Sequence, residues 1–267
     1  MMNYLVCVKQ VPDTTEIRID PVTHTLIREG VPSILNTFDG FALETALRLK
    51  EKTGGTVTVI TMGPPKAADV LRQALATGAD KVCLVTDRAF GGADTLMTSF
   101  TLTRTIQMLE AKQGAPFDVV FCGKQAIDGD TAQVGPEIAE HMNRGQVTYA
   151  TQVDIENGKA LVRKDVDDGY QILAAPLPCV ISVTKTNYEL RIASVSGRIA
   201  AAKADIETVT NDVLGLDPDK IGLKGSPTQV KRSFTPELKK GGEILSGAAG
   251  STLGEKLTGI LWDEKLI

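Results

Sequence analysis

Histidine is nearly absent: His24 and His141 are the only two in 267 residues. A zinc site or a histidine-based triad is therefore not expected. Cysteine is scarce too, and Cys7, Cys83, Cys122 and Cys179 lie far apart with no C-x-x-C pair. Each sits in or beside an apolar run that reads as a strand, so buried structural thiols are the favoured reading over metal or iron–sulfur ligands. A formal net charge of −4 gives no general attraction to nucleic acid or an anionic membrane. No apolar run reaches the length of a transmembrane helix, so membrane insertion is not expected. Residues 1–9 hold no charged start followed by a long apolar run; no signal peptide is expected, and the chain reads as cytoplasmic. Several signatures are missing as well: the G-x-x-x-x-G-K-[ST] loop, G-x-G-x-x-G after the first strand, the G-x-S-x-G elbow and S-x-x-K. Nothing suggests hydrolytic chemistry.

What is present is a globular composition, 42% hydrophobic and 23% charged, long enough for one or two domains. The chain is organised around residues 118–142. Val119, Val120, Phe121 and Cys122 form an apolar run of strand length, which Gly123 ends. A polar loop over 124–130 follows, then a helix over 131–142 with Ile138, Ala139 and Met142 at helical spacing and Asp130 or Thr131 as N-cap. Pro136 belongs in its first turn. Free N–H groups and the dipole at a helix N-terminus suit an anion, and Lys124 adds one mobile positive charge. Asp128 and Asp130 weigh against phosphate. A nucleotide loop and an ordinary strand-to-helix connection both fit this spacing.

Taken in order, residues 4–8 read as the first strand, and residues 17–27 as a small hairpin turning at Asp20-Pro21. Asp39 reads as N-cap of a helix through Lys52, stopped by Gly54-Gly55. A strand over 56–62, a helix opened by Gly63-Pro64-Pro65 and ended at Gly78, and a strand over 82–85 follow. The loop 90–95, F-G-G-A-D-T, opens another helix. It faintly resembles the S-G-G-x-D-S pyrophosphate loop of ATP-cleaving synthetases, though that loop normally follows the first strand, and a plain helix start is the favoured reading. Strand and helix alternate about four times, which predicts a parallel sheet covered on both faces. Ligands of such sheets sit beyond the carboxyl ends of the strands, where the loops starting at Lys9, Met62, Phe90 and Gly123 would gather. Residues 148–174 then read as a β-hairpin excursion, with a turn at Glu156-Asn157-Gly158 and a third strand over 170–174. Residues 180–184 rejoin the main sheet. From Ala204 the chain reads as an extended arm ending in a short helix over 253–262, to lie against the core or wrap a partner.

The chain resembles the beta (small) subunit of electron-transfer flavoproteins. The resemblance is carried by V-C-V-K-Q-V-P-D at 6–13, N-T-F-D-G-F-A-L-E at 36–44, A-L-A-T-G-A-D at 74–80 and, most specifically, C-G-K-Q-A-I-D-G-D-T-A-Q at 122–133. It implies an α/β nucleotide-binding fold related to adenine-nucleotide α-hydrolases, over residues 1–203, with an arm over 204–267 that packs on a larger alpha subunit. Cys7 corresponds to a position that meets the nucleotide through its backbone. Asn36, Thr37, Phe38, Asp39 and Met62 would line the adenosine end. Cys122, Gly123, Lys124, Gln125, Ala126, Ile127, Asp128, Gly129, Asp130, Thr131, Ala132 and Gln133 would hold ribose and phosphates, and Asp94 and Thr95 would add contacts. Thr37 stands where the family usually has proline.

Two branches of that family differ in what this site holds, AMP as a structural ligand or a second FAD. The G-D-T-A-Q-V-G-P stretch at 129–136 and F-G-G-A-D-T at 90–95 resemble the bifurcating, two-FAD branch. There, NADH gives a hydride to this flavin, and its two electrons part to ferredoxin and, through the alpha-subunit FAD, to a flavin dehydrogenase of acyl-CoA or 2-hydroxy acid type. The flavin carries the redox chemistry and the protein positions it. Residues 186–203 resemble the recognition loop for that dehydrogenase, with Val195 as hydrophobic anchor; a surface loop leading into a basic helix start is the plainer reading. A stand-alone nucleotide-binding module of the same fold is the alternative of a different class.

Overall fold

The computed structural model describes residues 1–13, 32–231, 242, 244–246 and 250–267. The hairpin expected over 17–27 lies outside these. The elements run β1 (Asn3–Val8), β2 (Gln10–Pro12), β3 (Ser33–Leu35), α1 (Thr37–Thr53), β4 (Thr56–Met62), a 3₁₀ turn (Pro65–Ala67), α2 (Ala68–Thr77), β5 (Lys81–Val85), α3 (Thr95–Gln113), β6 (Val119–Gly123) and α4 (Val134–His141). Then come β7 (Gly145–Glu156), β8 (Lys159–Val166), β9 (Gly169–Pro176), β10 (Cys179–Val183), α5 (Val195–Lys203), β11 (Glu207–Val209), the short α6 (Asn211–Leu214) and α7 (Gly222–Gly225), and α8 (Gly250–Asp263).

One nine-stranded sheet has the order β11-β5-β4-β1-β6-β10-β7-β8-β9. Its pairs from β11 to β7 are parallel, whereas β7, β8 and β9 pair antiparallel. The strands of the parallel part are apolar on both sides because both sides are covered. Tyr4, Val6, Val57, Val59, Val119 and Phe121 pack against Leu43, Leu47 and Leu71 of α1 and α2. Leu5, Cys7, Ile60, Val120 and Cys122 pack against Leu102, Ile106 and Ile138 of α3 and α4. Each fully buried aliphatic or aromatic side chain here contributes about 1.5–3 kcal/mol.

From β1 the chain winds outward to β4 and β5, then returns across β1 to place β6 on its other side. The switch in direction therefore falls between β1 and β6, where Cys7 and Cys122 are register partners. A crevice opens beyond the carboxyl ends of strands at such a switch. The hairpin excursion takes the expected form: Asn157 and Gly158 adopt φ 50° and 74° at the turn between β7 and β8, the left-handed pair that a two-residue hairpin turn requires.

Three local expectations are corrected. Helix α1 starts at Thr37 after Asn36, so Asp39 lies inside its first turn instead of capping it. Helix α4 starts at Val134 after Gln133 and not near Asp130 or Thr131, because 126–130 closes a turn of its own, with Gly129 and Asp130 N–H donating to Ala126 O. The segment after Ala204 is less extended than its glycines and prolines suggest: β11 adds an edge strand beside β5, and Val209 and Ile221 are buried.

Candidate nucleotide site at the sheet switch

The start of α1 braces the loops on both sides of this switch. Asn36 is fully buried, and its amide spans the loop after β6: Nδ2 donates to Gln125 O at 2.8 Å, and Oδ1 accepts from Ile127 N at 3.1 Å. Asp39, 6% exposed, accepts from Lys9 N at 2.7 Å and Gly123 N at 3.1 Å. One carboxylate thereby ties the ends of β1 and β6 to one helix. Burial pushes its pKa up to about 7, against the pull of hydrogen bonds from Asn36, Lys9 and Gly123. Gly123 has to be glycine, since a Cβ there would lie 2.2 Å from Asp39 Oδ1 and 2.7 Å from backbone atoms of α1.

Below this clamp Cys7 and Cys122 face each other in the core; the hydrogen bond to Cys122, with burial, pushes the Cys7 thiol well up. Cys7 is therefore not poised as a nucleophile. Thr37 is exposed at the helix start, and Phe38 packs on the core.

The loop itself is exposed from Ile127 to Thr131. Asp130 and Ala132 take left-handed φ of 53° and 57°, conformations that favour glycine and store strain at binding loops. Gln125 Nε2 donates to Asp130 Oδ1 at 2.6 Å, and Lys9 Nζ meets Asp128 Oδ1 at 2.6 Å. The two acids that weighed against phosphate are thus both engaged within the loop and its neighbour. Lys124 donates its N–H to Val183 O, and its ammonium lies 5.1 Å from the centre of the Tyr149 ring. The first turn of α4 has no side-chain cap among the described residues, and since Pro136 has no N–H, its donors without a helical partner are the N–H groups of Val134 and Gly135. Glu137 Oε2 is buried and has no partner among the described residues.

The second loop meets the first through Thr95, whose hydroxyl reaches Gln133 Oε1 and Glu137 Oε1, both at 3.1 Å. Asp94 is committed elsewhere: it caps α3 by accepting from Met97 N, and Oδ2 accepts from Thr228 N and Oγ1. Burial would raise its carboxyl, but these bonds outweigh it and hold it low. The arm thus fastens at the site through Thr228, and through Ser226, whose Oγ accepts from Asp94 N.

A cleft of about 910 Å³ opens beside these loops, lined by residues 9–12, Met62 to Ala67 and residues 85–88 and 90–93. That is the upper end of the range for ligand pockets, roughly 300–1,000 Å³. Loops after Lys9, Met62 and Phe90 therefore gather as expected, and the Gly123 loop joins them through the Lys9–Asp128 pair. Of the residues named from the sequence, Met62 lines the cleft, and Asn36 and Asp39 hold the loops. Reading the sequence missed Lys66 and Arg88, cations on the cleft wall, and Tyr149, which is held at φ 62° where β7 bulges against β10. A basic residue beside each of two loop starts was the signal available for the first pair.

With this geometry in place, similarity to known proteins is specific. The family described as electron transfer flavoprotein domain matches residues 23–214. The chain is 51% identical to an electron transfer flavoprotein subunit beta of Thermoanaerobacterium thermosaccharolyticum, over 92% of this chain and 93% of that one. It is 46% identical, over the full length of both, to the caffeyl-CoA reductase–Etf complex subunit CarD of Acetobacterium woodii. Protein FixA of Azorhizobium caulinodans is 46% identical over 89% of this chain and 86% of its own. This chain belongs to the electron transfer flavoprotein family, as a beta subunit.

Proposed function

We propose that the chain pairs with an alpha subunit and holds FAD across the loops at the sheet switch and the cleft beside them, as the beta subunit of a bifurcating complex. The observation that carries this is the cleft itself. Its volume of about 910 Å³, with only Gly91, Gly92 and Ala93 along one wall, leaves room for a flavin with a nicotinamide beside it. The donor set also fits a dinucleotide: loop amides after Gly123, free N–H groups of Val134 and Gly135, and Lys66 and Arg88 for phosphates. The unpartnered Glu137 Oε2 would accept from a hydroxyl.

Bound there, FAD would supply two-electron and one-electron redox chemistry, which in the proposed complex would link NADH to ferredoxin and, through the alpha subunit, to a flavin dehydrogenase. The chain's own part is to bind and to orient. Asn36 and Asp39 hold the phosphate loop in shape, Met62 closes the apolar end, and Thr95 keeps the starts of α3 and α4 together. The exposed apolar residues Leu257, Trp262 and Leu266 at the chain end suit an arm that packs on the alpha subunit. Val195, at the start of α5, would enter the dehydrogenase. Among the described residues no helix is long and apolar enough to cross a membrane; work in the cytoplasm is part of the same proposal.

The test is to co-purify the chain with its alpha subunit and count nucleotides released per heterodimer. Two FAD support the reading, and NADH-driven ferredoxin reduction is then the activity to measure. One FAD with one AMP would make the chain a single-flavin carrier. A stable isolated chain that hydrolyses ATP would overturn the subunit assignment in favour of a stand-alone nucleotide module.

A further inference from the structure

The segment between β10 and α5 is fastened at both ends and apolar in the middle. At its first end Tyr188 OH meets Thr45 Oγ1 at 2.9 Å, and the Arg48 guanidinium lies 4.1 Å over the Tyr188 ring. Arg191 then grips Glu44 of α1 three times: N to Oε2 at 3.1 Å, Nε to Oε2 at 2.9 Å and Nη2 to Oε1 at 3.0 Å. Its Nη1 also meets Glu51. Glu44 is 2% exposed and takes a further bond from Arg48 Nε at 2.8 Å. At the other end Ser194 Oγ caps α5 by accepting from Gly197 N. Gly197 packs so closely on α2 that a Cβ would lie 2.4 Å from Ala76 O, and Arg72 Nη1 donates to Ala201 O at 2.7 Å.

Between these anchors Ile192 and Val195 stand 90% and 77% exposed. Two aliphatic side chains held in water on a braced turn are unfavourable unless something covers them. A bidentate guanidinium on a buried carboxylate, one residue from Ile192, fixes the direction of the chain more than a single hydrogen bond would. Ordering such a turn in advance removes part of the entropy cost of binding.

We infer that Glu44 and Arg191 are positioning residues for docking: their ion pair presets the turn so that Ile192, with Val195, meets the partner dehydrogenase already shaped. This rests on the docking role proposed for Val195. Neither Glu44 nor Arg191 touches the cleft, so the pair should act on encounter and not on electron transfer within the complex.

The experiment uses the heterodimer with its alpha subunit. The probe is an acyl-CoA dehydrogenase or a 2-hydroxy acid dehydrogenase, whichever exchanges electrons with the wild type. For Arg191→Gln the expected result is a KM for the dehydrogenase raised about tenfold, with kcat within about twofold. Nucleotide content per heterodimer stays at the wild-type value, and amide exchange over 186–194 speeds up while β1 and β6 stay protected. Val195→Asp tests the docking role itself and should abolish turnover with the dehydrogenase. A wild-type KM in Arg191→Gln, alongside lost turnover in Val195→Asp, overturns the positioning inference and leaves the docking role standing. Full turnover in Val195→Asp removes the docking role, and this inference with it. If Arg191→Gln does not assemble, Glu44→Gln carries the same comparison: a raised KM supports the inference and a wild-type KM overturns it.

Discussion

Two buried acids, Asp39 and Glu44, lie on one helix and do opposite things. Asp39 holds backbone N–H groups of two strand ends and, among the described residues, meets no cation at bonding distance, and burial lifts its pKa to about 7. Burial would raise Glu44 as well, but the bonds and charge of Arg191 and Arg48 outweigh it and hold its carboxyl below the usual range. The difference teaches that desolvation alone does not set the protonation of a buried carboxylate; the charge of its partners does. It also separates two jobs. The neutral-leaning clamp shapes the nucleotide loop, and the ion-paired clamp shapes the docking turn.

The largest expected effect comes from crowding the first clamp. Gly123→Ala drives a methyl into Asp39 and the backbone of α1, so a loss of about 3 kcal/mol is expected, at the upper end for overpacking. Chemical denaturation of the heterodimer measures it, and bound nucleotide should fall in parallel. Asp39→Leu comes next: it leaves Lys9 and Gly123 N–H without their acceptor, for about 1–3 kcal/mol.

The pH dependence sharpens the comparison. Asp39 binds its proton up to about pH 7 when folded, but only up to about 3.9 when unfolded. Its contribution to stability is therefore fully present below about pH 4 and is lost as pH rises through 7. Glu44, held low, contributes in the other direction: present above its unfolded value and lost as pH falls through its folded one. Asp39→Leu should flatten the stability profile between about pH 4 and 7, while Glu44→Gln should leave that window alone and change the profile only on its acid side. A wild-type slope in Asp39→Leu would refute the role given to desolvation. The smallest effect belongs to a surface pair. Lys112→Ala breaks the bridge to Glu207 of β11, and its melting temperature should match the wild type.

Much of this was legible along the chain. The apolar run at 119–122, the glycines after α1 and α2 and the Asn157-Gly158 turn each specify a local shape, and each is found. Asp39 misled, because a polar residue ahead of an apolar run looks like a cap whatever lies across from it. Its partner Gly123 is 84 residues away. Strand β11, three residues long, was too short to show any period.

By itself, then, the sequence determined the parallel α/β order, the hairpin excursion and the loops that carry the family's motifs. These follow from periodicity, strand length and turn chemistry, all properties of a few adjacent residues. Tertiary structure alone decided what the buried polar groups do. Arg191 finds Glu44 across 147 residues, and Asn36 and Asp39 brace loops that lie far from them in sequence. The physical reason is that a buried donor or acceptor must be satisfied by whatever the fold brings beside it, and that neighbour is chosen by packing and not by sequence distance.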